Sequence, residues 1–148
     1  MKNELKSITK ELFSIDYNKQ SLCEETEKKY QQEAKNMINK FGWKEVYDAW
    51  YLYLKDDCKT PEKAINWAKL FWWYTSCQYR VEKPYELLAR LYSIINVAVD
   101  KYDCENLLYS ISISLLEPMG YIDLYNDPYY EPLEDTRLLS EIEKFNKK

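Results

Sequence analysis

Apolar positions recur along this chain at spacings of three and four residues, the period of helices that bury one face. Leu5, Ile8, Leu12 and Ile15 form the first such stripe. Ser21-Leu22-Cys23-Glu24 has the form of a capping box, in which the Ser21 hydroxyl accepts from a free amide and Glu24 reaches back. A second stripe then runs through Cys23, Tyr30, Ala34, Met37 and Phe41, and Gly42 is placed to end that helix in the left-handed conformation. The next segment, Trp43 to Asp57, carries Val46, Trp50, Tyr53 and Leu54 on one face.

Thr60-Pro61-Glu62 reads as a helix start, with Thr60 as cap and Pro61 in the first turn. The helix over residues 61–78 is apolar around most of its circumference, which predicts a central position. Lys83-Pro84 opens another helix, whose inner face holds Leu87, Leu88, Leu91, Ile94, Ile95 and Ala98. Asp103 is expected to cap the one after it, which uses Leu107, Leu108, Ile111, Leu115 and Leu116. Within that segment Ser110-Ile111-Ser112-Ile113-Ser114 alternates as a strand would. No other segment supplies a partner strand, so the helix is the reading. Residues 119–134 show no period, and a short helix follows from Asp135 to Phe145. The expectation is an all-α fold: one compact bundle of about six or seven helices, spanning residues 1–148 as a single domain, with an irregular segment before the last helix.

Composition narrows the chemistry more than it names it. The chain has 148 residues, 46% of them hydrophobic and 31% charged, with 15 tyrosines among its aromatics. That is too apolar and aromatic for a disordered chain. It contains no His, which removes catalytic triads, Cys-His pairs, His-ligated metals and the Glu-x-x-His motif of di-iron bundles. With two Gly, neither GxGxxG nor GxxxxGK can be written. Cys23, Cys58, Cys77 and Cys104 form no CxxC pair and read as reduced thiols packed as small hydrophobes. Asp56 and Asp57 precede Cys58, and their charges disfavour its thiolate. Asp56 and Asp57 themselves point about 100° apart in a helix and cannot share a substrate atom. No cofactor is expected. No apolar run is long enough for a secretory signal or a membrane span, so the expected location is the cytoplasm.

Charge is distributed unevenly. From Tyr102 to Thr136 there is no Lys or Arg, whereas Asp103, Glu105, Glu117, Asp123, Asp127, Glu131, Glu134 and Asp135 are all acidic. The formal net charge is −4, so the rest of the chain is net basic, with its bases interleaved among acids. Such an asymmetry bears on partners rather than fold. It favours a protein with a basic surface and disfavours direct binding of nucleic acid, which needs clustered cations. Within the acidic stretch, Tyr121, Asp123, Tyr125, Asp127, Tyr129, Tyr130 and Glu131 are the candidate partner-binding residues. Tyrosine offers a large contact area with few rotatable bonds, and Pro128 and Pro132 restrict the backbone between them. A packing alternative has Tyr121, Leu124, Tyr125 and Leu133 folded back on the helices with the acids in water. A calcium loop starting at Asp123 fails, because its third and sixth positions hold Tyr125 and Pro128.

The functional expectation is therefore a small non-enzymatic protein-binding module of the inhibitor, immunity-type or nucleic-acid-mimic kind. Two alternatives accompany it. One is a self-associating accessory protein in which a second copy completes the apolar circumference of residues 61–78. The other is a ligand binder or enzyme with a cavity lined by its Trp and Tyr residues.

Overall fold

A computed structural model describes residues 2–14, 24–76, 83–96 and 101–146. Ile15, the Ser21–Cys23 part of the capping box, Cys77 and Ala98 lie outside the described residues, as do the side chains of Asp103 and Cys104. The helices are α1 (Lys2–Leu12), α2 (Glu24–Phe41), α3 (Trp43–Asp57), α4 (Pro61–Ser76), α5 (Pro84–Ile95), α6 (Lys101–Leu116) and α7 (Thr136–Asn146), with a single 3₁₀ turn at Pro132–Glu134. Among the described residues there is no strand, and the all-α bundle expected from the periodicity is the fold. The alternating segment 110–114 lies inside α6, where Ile111, Ser112, Leu115 and Leu116 are buried and Ser110 and Ser114 are exposed. Helical spacing to the flanking leucines prevails over a local period of two.

Several junctions follow from single residues. Only Gly42 separates α2 from α3, at φ 89° and ψ 144°. The positive φ was expected, but ψ is extended rather than helical, in a region open essentially to glycine. Its N–H still completes the α2 ladder on Ile38 O at 2.8 Å, while its carbonyl accepts Val46 N–H at 3.1 Å. Thr60 caps α4 as read, its Oγ1 accepting the Lys63 N–H at 3.3 Å. The start of α6 differs from its expected form: Lys101 and Tyr102 are already helical, so Asp103 lies inside the helix and not at its cap.

The core is largely aromatic at the α1, α3 and α4 side. Trp50 is fully buried, with the rings of Phe13, Tyr47, Phe71 and Tyr74 between 5.7 and 6.0 Å from its own. Tyr74 is also fully buried, and its hydroxyl donates to Leu12 O at 2.6 Å, satisfying a carbonyl at the open end of α1. Burial drives the Tyr74 hydroxyl far above its ordinary pKa. On α4, Ala64, Trp67, Ala68, Leu70 and Phe71 are buried within the chain itself, and the helix packs against α2, α3 and α5.

Like α4, α5 is packed on several sides. It meets α3, α4, α6 and α7 and buries Leu87, Leu88, Ala89, Arg90, Leu91, Ile94 and Ile95. Cys58, at the end of α3, is buried and its thiol donates to Ile94 O at 3.6 Å. Burial pushes that thiol up to about 11, with Lys59 and Lys63 opposing. What disfavours its thiolate is burial, and not the neighbouring acids.

At the α5–α7 contact lies a buried cation that the periodicity does not announce. Arg90 is 5% exposed, and its guanidinium sits 5.4 Å from the Tyr51 ring of α3 and 5.2 Å from the Phe145 ring of α7. Its Nη2 donates to Asp48 and, at 3.0 Å, to Glu86 Oε1. No helix among the described residues is long and apolar enough to cross a membrane.

Candidate interaction surface

The segment between α6 and α7 lacks a period because its backbone is held by turns and side chains instead of a helical ladder. Gly120, at φ 79°, ends α6 in a Schellman arrangement: Tyr121 N–H donates to Leu116 O at 3.0 Å and Gly120 N–H to Glu117 O at 3.0 Å. Asp123 then fixes the next turn. Its carboxylate accepts the Tyr125 N–H at 3.0 Å and the Asn126 side-chain amide, while its carbonyl accepts the Asp127 N–H at 2.8 Å. This is the self-bonding turn that aspartate favours.

The strap is tied down at its far end by Asp135. Asp135 is the N-cap of α7, its Oδ1 accepting the Arg137 N–H at 3.0 Å. The same carboxylate accepts Arg137 Nε and Nη2, each at 3.0 Å, the Tyr130 hydroxyl at 2.8 Å and, more loosely, the Tyr85 hydroxyl of α5 at 3.4 Å. Arg137 lies over the Tyr85 ring, 4.8 Å from its centre, and reaches Tyr121 O at 3.4 Å. One carboxylate therefore joins the strap, α5 and α7. Burial alone would raise its pKa, but the hydrogen bonds from Arg137 and Tyr130 outweigh that and hold it below the usual carboxylate range. Tyr85 is pushed up to about 12 by burial and by the negative charge of Asp135, and Tyr130 is raised further for the same reasons.

This geometry separates the candidate residues into different roles. Tyr125 is 93% exposed and Tyr129 is 88% exposed, while Tyr130 is 8% exposed and faces Asp135. Tyr125 does not fold back on the helices, as the packing alternative required; Leu124 and Leu133 are half-buried. Tyr121, Asp123, Asp127, Tyr129, Tyr130 and Glu131 line one depression of about 550 Å³, and Tyr125 stands outside it. Glu134 lines it too, and so do Asp135 and Arg137, the one base there. Among the described residues Arg137 pairs with Asp135, and no Lys or Arg pairs with Asp127, Glu131 or Glu134. The depression keeps a negative surplus.

Two contributors were not visible in the pattern. Tyr85 lies 50 positions from Asp135 on another helix, so no local signal connects them. Arg137 is the first base after the acidic run, and only its bidentate bond with Asp135 shows that its charge is used internally. Compared with family models, with curated proteins and with solved structures, the chain finds no match.

Proposed function

We propose that this protein is a small cytoplasmic, non-enzymatic binding module that docks on a partner protein with a basic surface, using the strap between α6 and α7. The observation that carries the reading is the near-complete exposure of Tyr125 and Tyr129, 93% and 88%, beside an acidic depression whose one base is already paired. Large aromatic side chains exposed on a braced backbone are ready contact area, because little ordering entropy remains to be lost. Asp127, Glu131 and Glu134 supply the field that draws in a basic partner and turns away a nucleic acid. Asp123 and Asp135 act differently. Their carboxylates hold the backbone, and Tyr130 belongs with them as a brace.

The test is a nuclease-treated capture from source lysate with the wild-type chain and a Tyr125→Ala/Tyr129→Ala variant. Both side chains are exposed, so the variant is expected to keep its wild-type circular dichroism and melting temperature. A basic protein retained by the wild type, released by salt and lost from the variant is the expected result. Equal recovery by both forms, or no basic protein in either, would remove the reading.

A further inference from the structure

Helices α5 and α7 hold each other through two arginines in a reciprocal clasp. Arg137 of α7 lies over the Tyr85 ring of α5, 4.8 Å from its centre. In return, Arg90 of α5 sits 5.2 Å from the Phe145 ring of α7, which also meets the Tyr51 ring of α3 at 5.7 Å. Carboxylates keep each guanidinium in place: Asp135 for Arg137, and Asp48 and Glu86 for Arg90. Between the clasps α7 buries Leu138 and Ile142, while Leu139 stays 42% exposed.

The length of α7 ties the two clasps together. It has eleven residues, and a helix that short is marginal in water on its own, since too few bonds follow its costly first turn. Undocking therefore melts α7, and a form docked at one end alone has little left to stabilise its helix. The rest of the bundle does not lean on it. The rings around Trp50 come from Phe13, Tyr47, Phe71 and Tyr74, none of them on α7. When α7 leaves, α5 retains α3, α4 and α6 as neighbours.

We propose that α7 is a latch on α5 that opens as one unit, both clasps releasing together while the other helices stay folded. Opening uncovers the side of α5 that α7 shields. It also parts Asp135 from Tyr85 and from the helix it caps, so the far end of the strap loosens with α7. The latch opens in this way whatever the strap binds.

The experiment is native-state hydrogen exchange on the intact ¹⁵N-labelled chain at neutral pH, across urea concentrations below the unfolding transition. It compares the wild type with Arg137→Gln and Phe145→Leu, each of which weakens one clasp; Arg137 is 51% exposed, so its variant is expected to keep the fold. The amides of α7 are expected to share one opening constant, with a shallower urea dependence than those of α3 and α4. Each variant is expected to speed exchange about tenfold at both Leu139 and Lys144, the end opposite the substitution included. Acceleration confined to the substituted end would overturn the latch in favour of independent fraying. Exchange of α7 with the same urea dependence as α3 and α4 would overturn it too, because the helix would then open only with the whole bundle.

Discussion

Arg90→Ala is expected to lower the unfolding free energy by about 3–5 kcal/mol, read as a fall in the urea midpoint at unchanged slope. The residue is 5% exposed and belongs to three helices at once: its own α5, α3 through Asp48 and Tyr51, and α7 through Phe145. Removing it leaves the Glu86 carboxylate, 18% exposed, with only the exposed Lys83 at 3.9 Å as a cation, and opens a void beside the Tyr51 and Phe145 rings. Asp48, at 42% exposure, keeps enough water that its share of the loss is smaller. Arg90→Lys keeps the charge but not the plane that stacks on Tyr51 and Phe145, so it is expected to fall between the alanine variant and the wild type. Hydrogen exchange at Leu138 and Ile142 should accelerate before exchange in α3 and α4, because α7 loses its clamp. A lysine variant as damaging as alanine would show that stacking, and not the ion pair, holds the site.

Asp135→Ala is expected to cost about 3 kcal/mol, combining a lost helix cap with a buried Tyr130 hydroxyl left without its acceptor. Asp135→Asn keeps the cap through one oxygen but puts an amide NH2 where Oδ2 accepts from Arg137 Nη2 and the Tyr130 hydroxyl, for about 1–2 kcal/mol. The pH dependence follows from the directions of the shifts. The Asp135 carboxyl is held below its ordinary value when folded, so its contribution is complete above about pH 4 and is lost as pH falls through the folded value. Tyr85 and Tyr130 are shifted upward, so their contribution is complete below about pH 10 and is lost as pH rises through the folded values, about 12 for Tyr85. In acid and alkaline unfolding curves, the asparagine variant is expected to lose the Asp135 part of the acid limb. A wild-type acid limb in that variant would place the sensitivity elsewhere.

The helices were legible because each buries a face at a spacing of three or four residues, from Leu5 and Leu12 in α1 to Leu138 and Ile142 in α7. The strap was legible as irregular and acidic, but not its division of labour. Tyr129 and Tyr130 are adjacent and chemically identical, yet one is 88% exposed and the other 8%. What separates them is an acceptor: the Tyr130 hydroxyl reaches Asp135 at 2.8 Å, and no rule of period or propensity encodes that. Arg90 was hidden for a related reason. A charged residue on an apolar helix face reads as the edge of the wet side until Asp48, Glu86 and two rings are seen to surround it. The apolar circumference of α4 suggested a helix packed on several sides, and it packs on α2, α3 and α5. Helix α5 is packed as widely, and its twelve residues include a buried charge matched by its neighbours.

The most direct measurement is the rate at which the captured basic partner associates with the wild-type chain and with an Asp127→Lys/Glu131→Lys/Glu134→Lys variant, across a range of salt. These three acids line the depression without holding its backbone, unlike Asp123 and Asp135. The variant is expected to associate about ten- to a hundredfold more slowly at low ionic strength, with the two rates converging as salt screens the field. Equal rates at low salt would contradict the claim that this acidic surface selects the partner.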